Sequence, residues 1–271
     1  MKEVIVVTGA SAGLGRAIVR RFARDGAAIG LIARGRERLE QTAFEVESLG
    51  GRALMLPLDV ADADAVEAAA ARVEAELGPI DVWINNAMVS VYSPIKQMSA
   101  AEFRRVTEVT YLGYVHGTLA DAGDEYAAVR LGEEPAAPAA PTGAAIYQPE
   151  VGADAVHHAV RHDVGREFLV SWSTIKAVVG EKLVPAYIDR DLGRSGYAAE
   201  ETRTPAEPDR PDNLWHPVSG DFAAHGRFDD RSRASSVELW VAKRKPWLTL
   251  GAAMVGAVIA GAAITTRHDD G

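Results

Sequence analysis

The sequence predicts an α/β fold with a doubly wound parallel sheet, and three observations carry that prediction. A β-branched apolar run, Val4-Ile5-Val6-Val7, stops at a glycine-rich turn, Thr8-Gly9-Ala10-Ser11-Ala12-Gly13-Leu14-Gly15. That turn passes directly into helical periodicity over Arg16 to Ala23. Strand and helix patterns then alternate as far as Ile84 at the spacing of crossover units, which implies parallel strands with right-handed connections.

Taken in order, Ala27 to Ala33 reads as a second strand, and Arg36 to Leu49 as a helix ended by Gly50-Gly51. Ala53 to Leu58 is a third strand. Asp62 to Leu77 is an alanine-rich helix stopped by Gly78-Pro79, and Ile80 to Ile84 is a fourth strand.

The first turn is built for an anion. Gly9 permits a tight turn, Gly13 has no Cβ to keep a pyrophosphate from the backbone, and Gly15 lets the helix lie close to the strand. The N–H groups and positive dipole end of such a helix stabilise a bound anion by roughly 0.3–2 kcal/mol, depending on burial.

Composition narrows the class. The 271 residues are 48% hydrophobic, enough to bury a core, and the formal net charge of -9 argues against a general nucleic-acid binder. Without cysteine there is neither a disulfide nor thiolate chemistry. Met1-Lys2-Glu3 leads straight into a strand, so no signal peptide is expected.

Three motifs at strand ends, the glycine turn, Asp59-Val60 and Asn85-Asn86-Ala87, together resemble the cofactor half of the short-chain dehydrogenase/reductase family. The resemblance implies a Rossmann-like sheet that binds a dinucleotide. It also implies that Gly9, Ser11, Gly13, Leu14 and Gly15 hold the cofactor, that Asp59 faces the adenine amine and that Val60 lines the adenine pocket. Asn86 and Ala87 would support the nicotinamide ribose side. A strand-end cap at Asp59 and an Asx turn at the asparagines are the purely structural alternative.

The end of the second strand bears on which dinucleotide. An acidic residue there would bond a ribose 2′-hydroxyl and repel a 2′-phosphate, whereas this chain has Ala33 followed by Arg34, which favours NADP over NAD. Arg36 fits a solvated position ahead of an acidic helix equally well. A basic residue before the middle glycine, common in NADP-binding relatives by that resemblance, is replaced by Ala12.

Departures from the family begin at the fourth strand. Met88 replaces a glycine, and Thr110 stands where an asparagine usually holds a proton-relay water. After Thr118 the family would supply a catalytic serine and a Tyr-x-x-x-Lys helix. Here Gly132 to Pro141 is Pro/Ala-rich, and no apolar β-branched run lies between Thr118 and Ile146. Tyr92-Ser93-Pro94-Ile95-Lys96 matches Tyr-x-x-x-Lys in letters, but Pro94 forbids a regular helix. Tyr126-Ala127-Ala128-Val129-Arg130 keeps a tyrosine and a cation, yet no serine lies between Ser99 and Ser171. The sheet is therefore expected to be truncated after the fourth strand, with no catalytic residue assigned.

The resemblance resumes with a helix over Pro149 to Val160 and a final strand over Glu167 to Trp172, whose unpaired edge is expected to favour self-association. His158 and His162 have metal-sharing spacing but no carboxylate or cysteine partners, so no metal is assigned. Ala198 to Ser236 reads as irregular cover with Trp215, Phe222 and Phe228 as sparse anchors. Trp247 to Thr266 is twenty residues without a charge, preceded by Lys243-Arg244-Lys245, and twenty helical residues span about 30 Å of hydrocarbon. A transmembrane helix over 246–266 that holds the main domain on the cytoplasmic side is therefore expected.

The expected organisation is a dinucleotide-binding domain (1–120), a linker (121–145), a late helix and strand (146–197), an irregular tail (198–245) and the membrane helix. Two functions compete. One is an NADP-dependent oxidoreductase acting on an unknown alcohol or carbonyl. The other is a membrane-tethered pseudoenzyme, or a truncated product, that keeps the dinucleotide half without turnover.

Overall fold

The computed structural model describes residues 2–91, 93–120, the backbone of 127–130, 146–162, 168–186, 188, 190, 212–218, 220, 224–225 and 229–244. Its centre is β1 (Val4–Thr8), flanked by β2 (Ala28–Ala33) on one side and β4 (Val82–Asn85) on the other. β3 (Arg52–Pro57) pairs with β2, and β5 (Ala127–Arg130) with β4, giving a parallel sheet of order β3-β2-β1-β4-β5. The chain winds outward through α1 (Gly13–Ala23), α2 (Arg36–Ser48) and β3, then crosses back through α3 (Ala63–Glu76) to enter β4. The winding therefore reverses between β1 and β4, and an open α/β sheet leaves its binding crevice at such a reversal, beyond the strands' C-terminal ends.

Both faces of the sheet are covered, so the inner strands are apolar on both sides. Ile5 and Val7 of β1, Ile29 and Leu31 of β2, and Val82 and Ile84 of β4 join one buried cluster with Ile18, Phe22 and Leu39 of α1 and α2. Val4, Val6, Ile32 and Trp83 point the other way into a second cluster with Val66, Ala69 and Val73 of α3. Gly30 is small for a packing reason, since a Cβ there would come within 2.8 Å of Val73 Cγ2. Beyond β4 the chain forms α4 (Ala100–Val106), a π-helical turn (Thr107–Leu112) and α5 (Gly113–Ala120). A capping box of Ser99 and Glu102 opens α4.

After β5 the chain returns to the first face as α6 (Pro149–Arg161), close to the expected boundaries, and packs on α1. Ala153 and Val156 enter the α1–α2 cluster, and Gly152 admits Leu14, whose Cδ1 would lie 2.8 Å from a Cβ at that position. Arg21 bonds Asp154 at 3.2 Å, and His157 Nε2 meets Asp25 at 2.6 Å while its ring tilts on Phe22.

Three expectations are corrected. The stretch without an apolar β-branched run contains β5, whose backbone continues the sheet past the fourth strand. Phe168 to Val170 is not a strand, and Trp172–Leu183 is a helix, α7, capped by Ser171. The edge of β4 is already paired with β5, and Phe168 and Val170 pack instead against Val151, Ala155 and Leu239, with Ser236 Oγ donating to Val170 O at 2.6 Å. The tail is not wholly irregular, because 237–244 is helical, and Leu214 and Leu239 are buried in it whereas Trp215 is 46% exposed. Phe222, Phe228 and the uncharged Trp247–Thr266 stretch lie outside the described residues. Among the described residues no helix is long and apolar enough to cross a membrane.

Candidate functional site: the glycine turn and its neighbours

The β1–α1 turn is held by one hydroxyl. Thr8 Oγ1 accepts from the backbone N–H of Asn86 at 2.9 Å and of Ala87 at 3.0 Å, and donates to Ile84 O at 3.3 Å. The Asn86 side chain returns across the same gap, its Nδ2 donating to Thr8 O at 2.9 Å. The end of β4 is thereby fastened to the end of β1. Sequence reading assigned Asn86 and Ala87 but not Thr8, whose place ahead of the first glycine was the available signal.

That fastening explains two glycines. A Cβ on Gly9, at φ 70°, would lie 2.8 Å from Asn86 Nδ2. A Cβ on Gly15 would collide with the Gly9 carbonyl and sit 2.5 Å from Asn86 Nδ2. Gly13 differs, because it has φ 52° but a Cβ there would meet nothing within 4 Å. Its role is to turn the chain and leave the backbone bare on its open side.

The start of α1 is electrostatically positive. Ala12 at its N-cap makes no side-chain cap, and no acidic residue lies in its first turn. By contrast, Asp62 caps α3 and Ser99 caps α4. α1 therefore begins as a helix whose dipole end has no carboxylate or hydroxyl of its own to satisfy it. Ser11 is buried in the turn, and Leu14 faces α6.

The remaining expected residues gather at the ends of β2 and β3. Asp59 Oδ1 accepts from Ala61 N at 3.1 Å in an Asx turn just past the strand end, and its other oxygen pairs with Arg105. Val60 is 6% exposed, lies against Gly113, where a Cβ would come within 2.7 Å of its Cγ2, and offers its carbonyl to His116 Nδ1 at 2.9 Å. Arg34 lies beside this group, and burial lowers its pKa from the ordinary arginine value against the opposing charge of Asp59. Arg105 was not anticipated, since an arginine beside Arg104 on a short helix carries no sequence signal of what it reaches.

Outside the turn, Thr110 Oγ1 donates to Val89 O at 2.8 Å and accepts from Val89 N at 3.1 Å. The hydroxyl that would stand in for a water-holding asparagine thus fastens the loop after β4. Ser171, the first serine after Ser99, accepts from Thr174 N at 3.1 Å as a helix cap. Tyr92 and Tyr126 lie outside the described residues. The backbone of Ala127–Arg130 is extended. His158 and His162 stack at 4.1 Å, and no metal-binding group occurs among the described residues.

Residues 3–122 match the short chain dehydrogenase family model. The probable oxidoreductase EphD of Mycobacterium tuberculosis is 40% identical over 117 residues, covering 43% of this chain and 20% of that protein. The 3beta-hydroxysteroid dehydrogenase 1 of Eggerthella lenta is 35% identical over 118 residues, covering 42% and 44%. A short chain dehydrogenase structure from Mycobacterium thermoresistibile aligns with TM-score 0.51 and 21% identity over 59% of this chain and 80% of that one, a likeness of fold. Residues 3–122 are thus similar to the short-chain dehydrogenases, a match over less than half of the chain. The chain spans less than half the length of these two curated relatives.

Proposed function

We propose that the chain binds NADP(H) across the β1–β4 crevice as the cofactor half of an oxidoreductase acting on an alcohol or carbonyl. The observation that carries this reading is the bare backbone at Gly13, the first residue of an uncapped α1, which leaves no side chain in the way of a pyrophosphate. Arg34 at the end of β2 supplies the cation that a 2′-phosphate requires, and no carboxylate follows Ala33 to repel it. Asn86 and Ala87, held by Thr8, would border the nicotinamide ribose. When bound, the reduced cofactor supplies a hydride. The chain's own part is to orient the dinucleotide through the glycine turn and Arg34.

A second reading, dinucleotide binding without turnover, is favoured by the occupied hydroxyls of Thr110 and Ser171 and by the absence of a serine between Ser99 and Ser171. In either case the uncharged Trp247–Thr266 stretch behind Lys243-Arg244-Lys245 supports a membrane anchor with the main domain cytoplasmic. Titrating the chain with NADPH and NADH, followed by nicotinamide fluorescence and by melting, tests the binding reading. Saturable binding that is tighter for NADPH and raises the melting temperature is expected. No binding of either would refute it. NADPH oxidation with ketones and aldehydes then separates the two readings, and turnover abolished by Tyr126→Phe would sink the inactive one.

A further inference from the structure

A segment from the far end of the sequence is bound to Arg34. The guanidinium donates to three successive backbone carbonyls, those of Asn213, Leu214 at 3.1 Å and Trp215 at 3.2 Å. The Leu214 carbonyl also accepts from Arg105 Nε at 3.0 Å, and Arg105 in turn pairs with Asp59. The Leu214 side chain is 5% exposed and belongs to the same buried cluster as Ile32, Leu56 and Val60. An Asx turn, in which the Leu214 N–H donates to Asp212 Oδ1 at 2.9 Å, shapes the segment, and Pro217 comes within 3.4 Å of where a Cβ on Gly35 would be.

Three carbonyl oxygens converging on one arginine present partial negative charge where an anionic group would present full charge. The apolar side chain beneath them fills space beside Val60. The same three side chains, Arg34, Asp59 and Val60, are the ones assigned above to the adenosine end of the cofactor.

We propose that residues 212–217 are a built-in competitor for the adenosine 2′-phosphate end of the dinucleotide, displaced when NADP(H) binds. This rests on the cofactor reading of Arg34. The carbonyls occupy the end-on fork of the guanidinium, Nη1 and Nη2, so a phosphate that takes that fork in two parallel bonds must break the carbonyl contacts. The apparent affinity is then the intrinsic one multiplied by the fraction of molecules with the segment released. The pyrophosphate end stays accessible while the adenosine end is covered.

The test uses 2′,5′-ADP, which carries the adenosine 2′-phosphate without nicotinamide, titrated calorimetrically into the full chain and into Leu214→Ala. Removing the buried side chain releases the segment, and binding about tenfold tighter or more is expected. Equal or weaker binding by a folded Leu214→Ala chain overturns the competitor while leaving the cofactor reading intact. No binding by either chain overturns the cofactor reading, and the competitor with it. Hydrogen exchange of the unaltered chain gives an answer even where the variant fails to fold. Saturating 2′,5′-ADP should speed exchange at 213–215, whereas slower exchange would make the segment part of the binding site and refute displacement.

Discussion

Thr8→Val removes one oxygen from the centre of the site while keeping the side chain's shape, so its effect isolates the hydrogen bonds. Thr8 is 1% exposed, and its Oγ1 is the acceptor for both Asn86 N–H and Ala87 N–H at 2.9 and 3.0 Å. Valine fills the same volume and leaves no cavity, so transfer and packing differ little. Each amide left without a partner inside the fold costs about 1–3 kcal/mol, and the donated bond to Ile84 is long enough to add little. Asn86 and Ala87 are only half-buried, so water relieves part of that cost and the expected loss is about 2–4 kcal/mol. The assay is urea denaturation of the unaltered chain, Thr8→Val and Thr8→Ser, with a lowered midpoint and unchanged slope for valine. Serine keeps the hydroxyl and should lose only about 0.8 kcal/mol for its missing methyl. A valine variant within about 0.5 kcal/mol of the parent would refute the claim that this hydroxyl fastens β4 to the glycine turn.

Gly13→Ala should fold with a loss of about 1–2 kcal/mol, the cost of a left-handed alanine, yet bind NADPH poorly. Gly15→Ala should lose more than Gly13→Ala, because its Cβ meets the Gly9 backbone, and comparing their melting temperatures checks this order. Arg34→Gln should lower the ratio of NADPH to NADH affinity by about 10–100-fold, the worth of a charge-assisted phosphate contact, as read from paired titrations. Glu45 lies between Arg16 and Arg20, at 2.9 and 2.5 Å. Burial opposes its ionisation, but the two arginine hydrogen bonds and charges prevail and hold it at about 2, below its ordinary 4.5. A lowered folded value means that its stabilisation, about 1–3 kcal/mol after solvent screening, is fully present above the ordinary value and is lost as pH falls towards the folded one. Urea midpoints of Glu45→Gln and the parent should therefore differ at neutral pH and converge near pH 2.

The elements up to β4 were legible because each is specified by its own neighbours along the chain. Val4-Ile5-Val6-Val7 can bury only as a strand in a doubly covered sheet, and Gly50-Gly51 and Gly78-Pro79 end their helices locally. β5 escaped because Ala127–Arg130 has little strand propensity, and it is a strand through its ladder with β4. Phe168 to Val170 was misread for the converse reason. Its apolar pattern suits a strand, but α6 and Leu239 provided the burial and no ladder was open to it.

The site divides along the same line. The sequence by itself determined the glycine turn, the parallel topology and the placement of Asp59 and Asn86 at strand ends, because spacing along a chain that alternates strand and helix dictates which end of the sheet they reach. Tertiary structure alone decided what each polar group bonds. It made Thr8 the fastening between two strands, gave Asp59 to Arg105, closed Thr110 on Val89 and set the carbonyls of residues 213–215 on Arg34. A hydrogen bond depends on a few tenths of an ångström between groups far apart in sequence, and no local pattern records that distance.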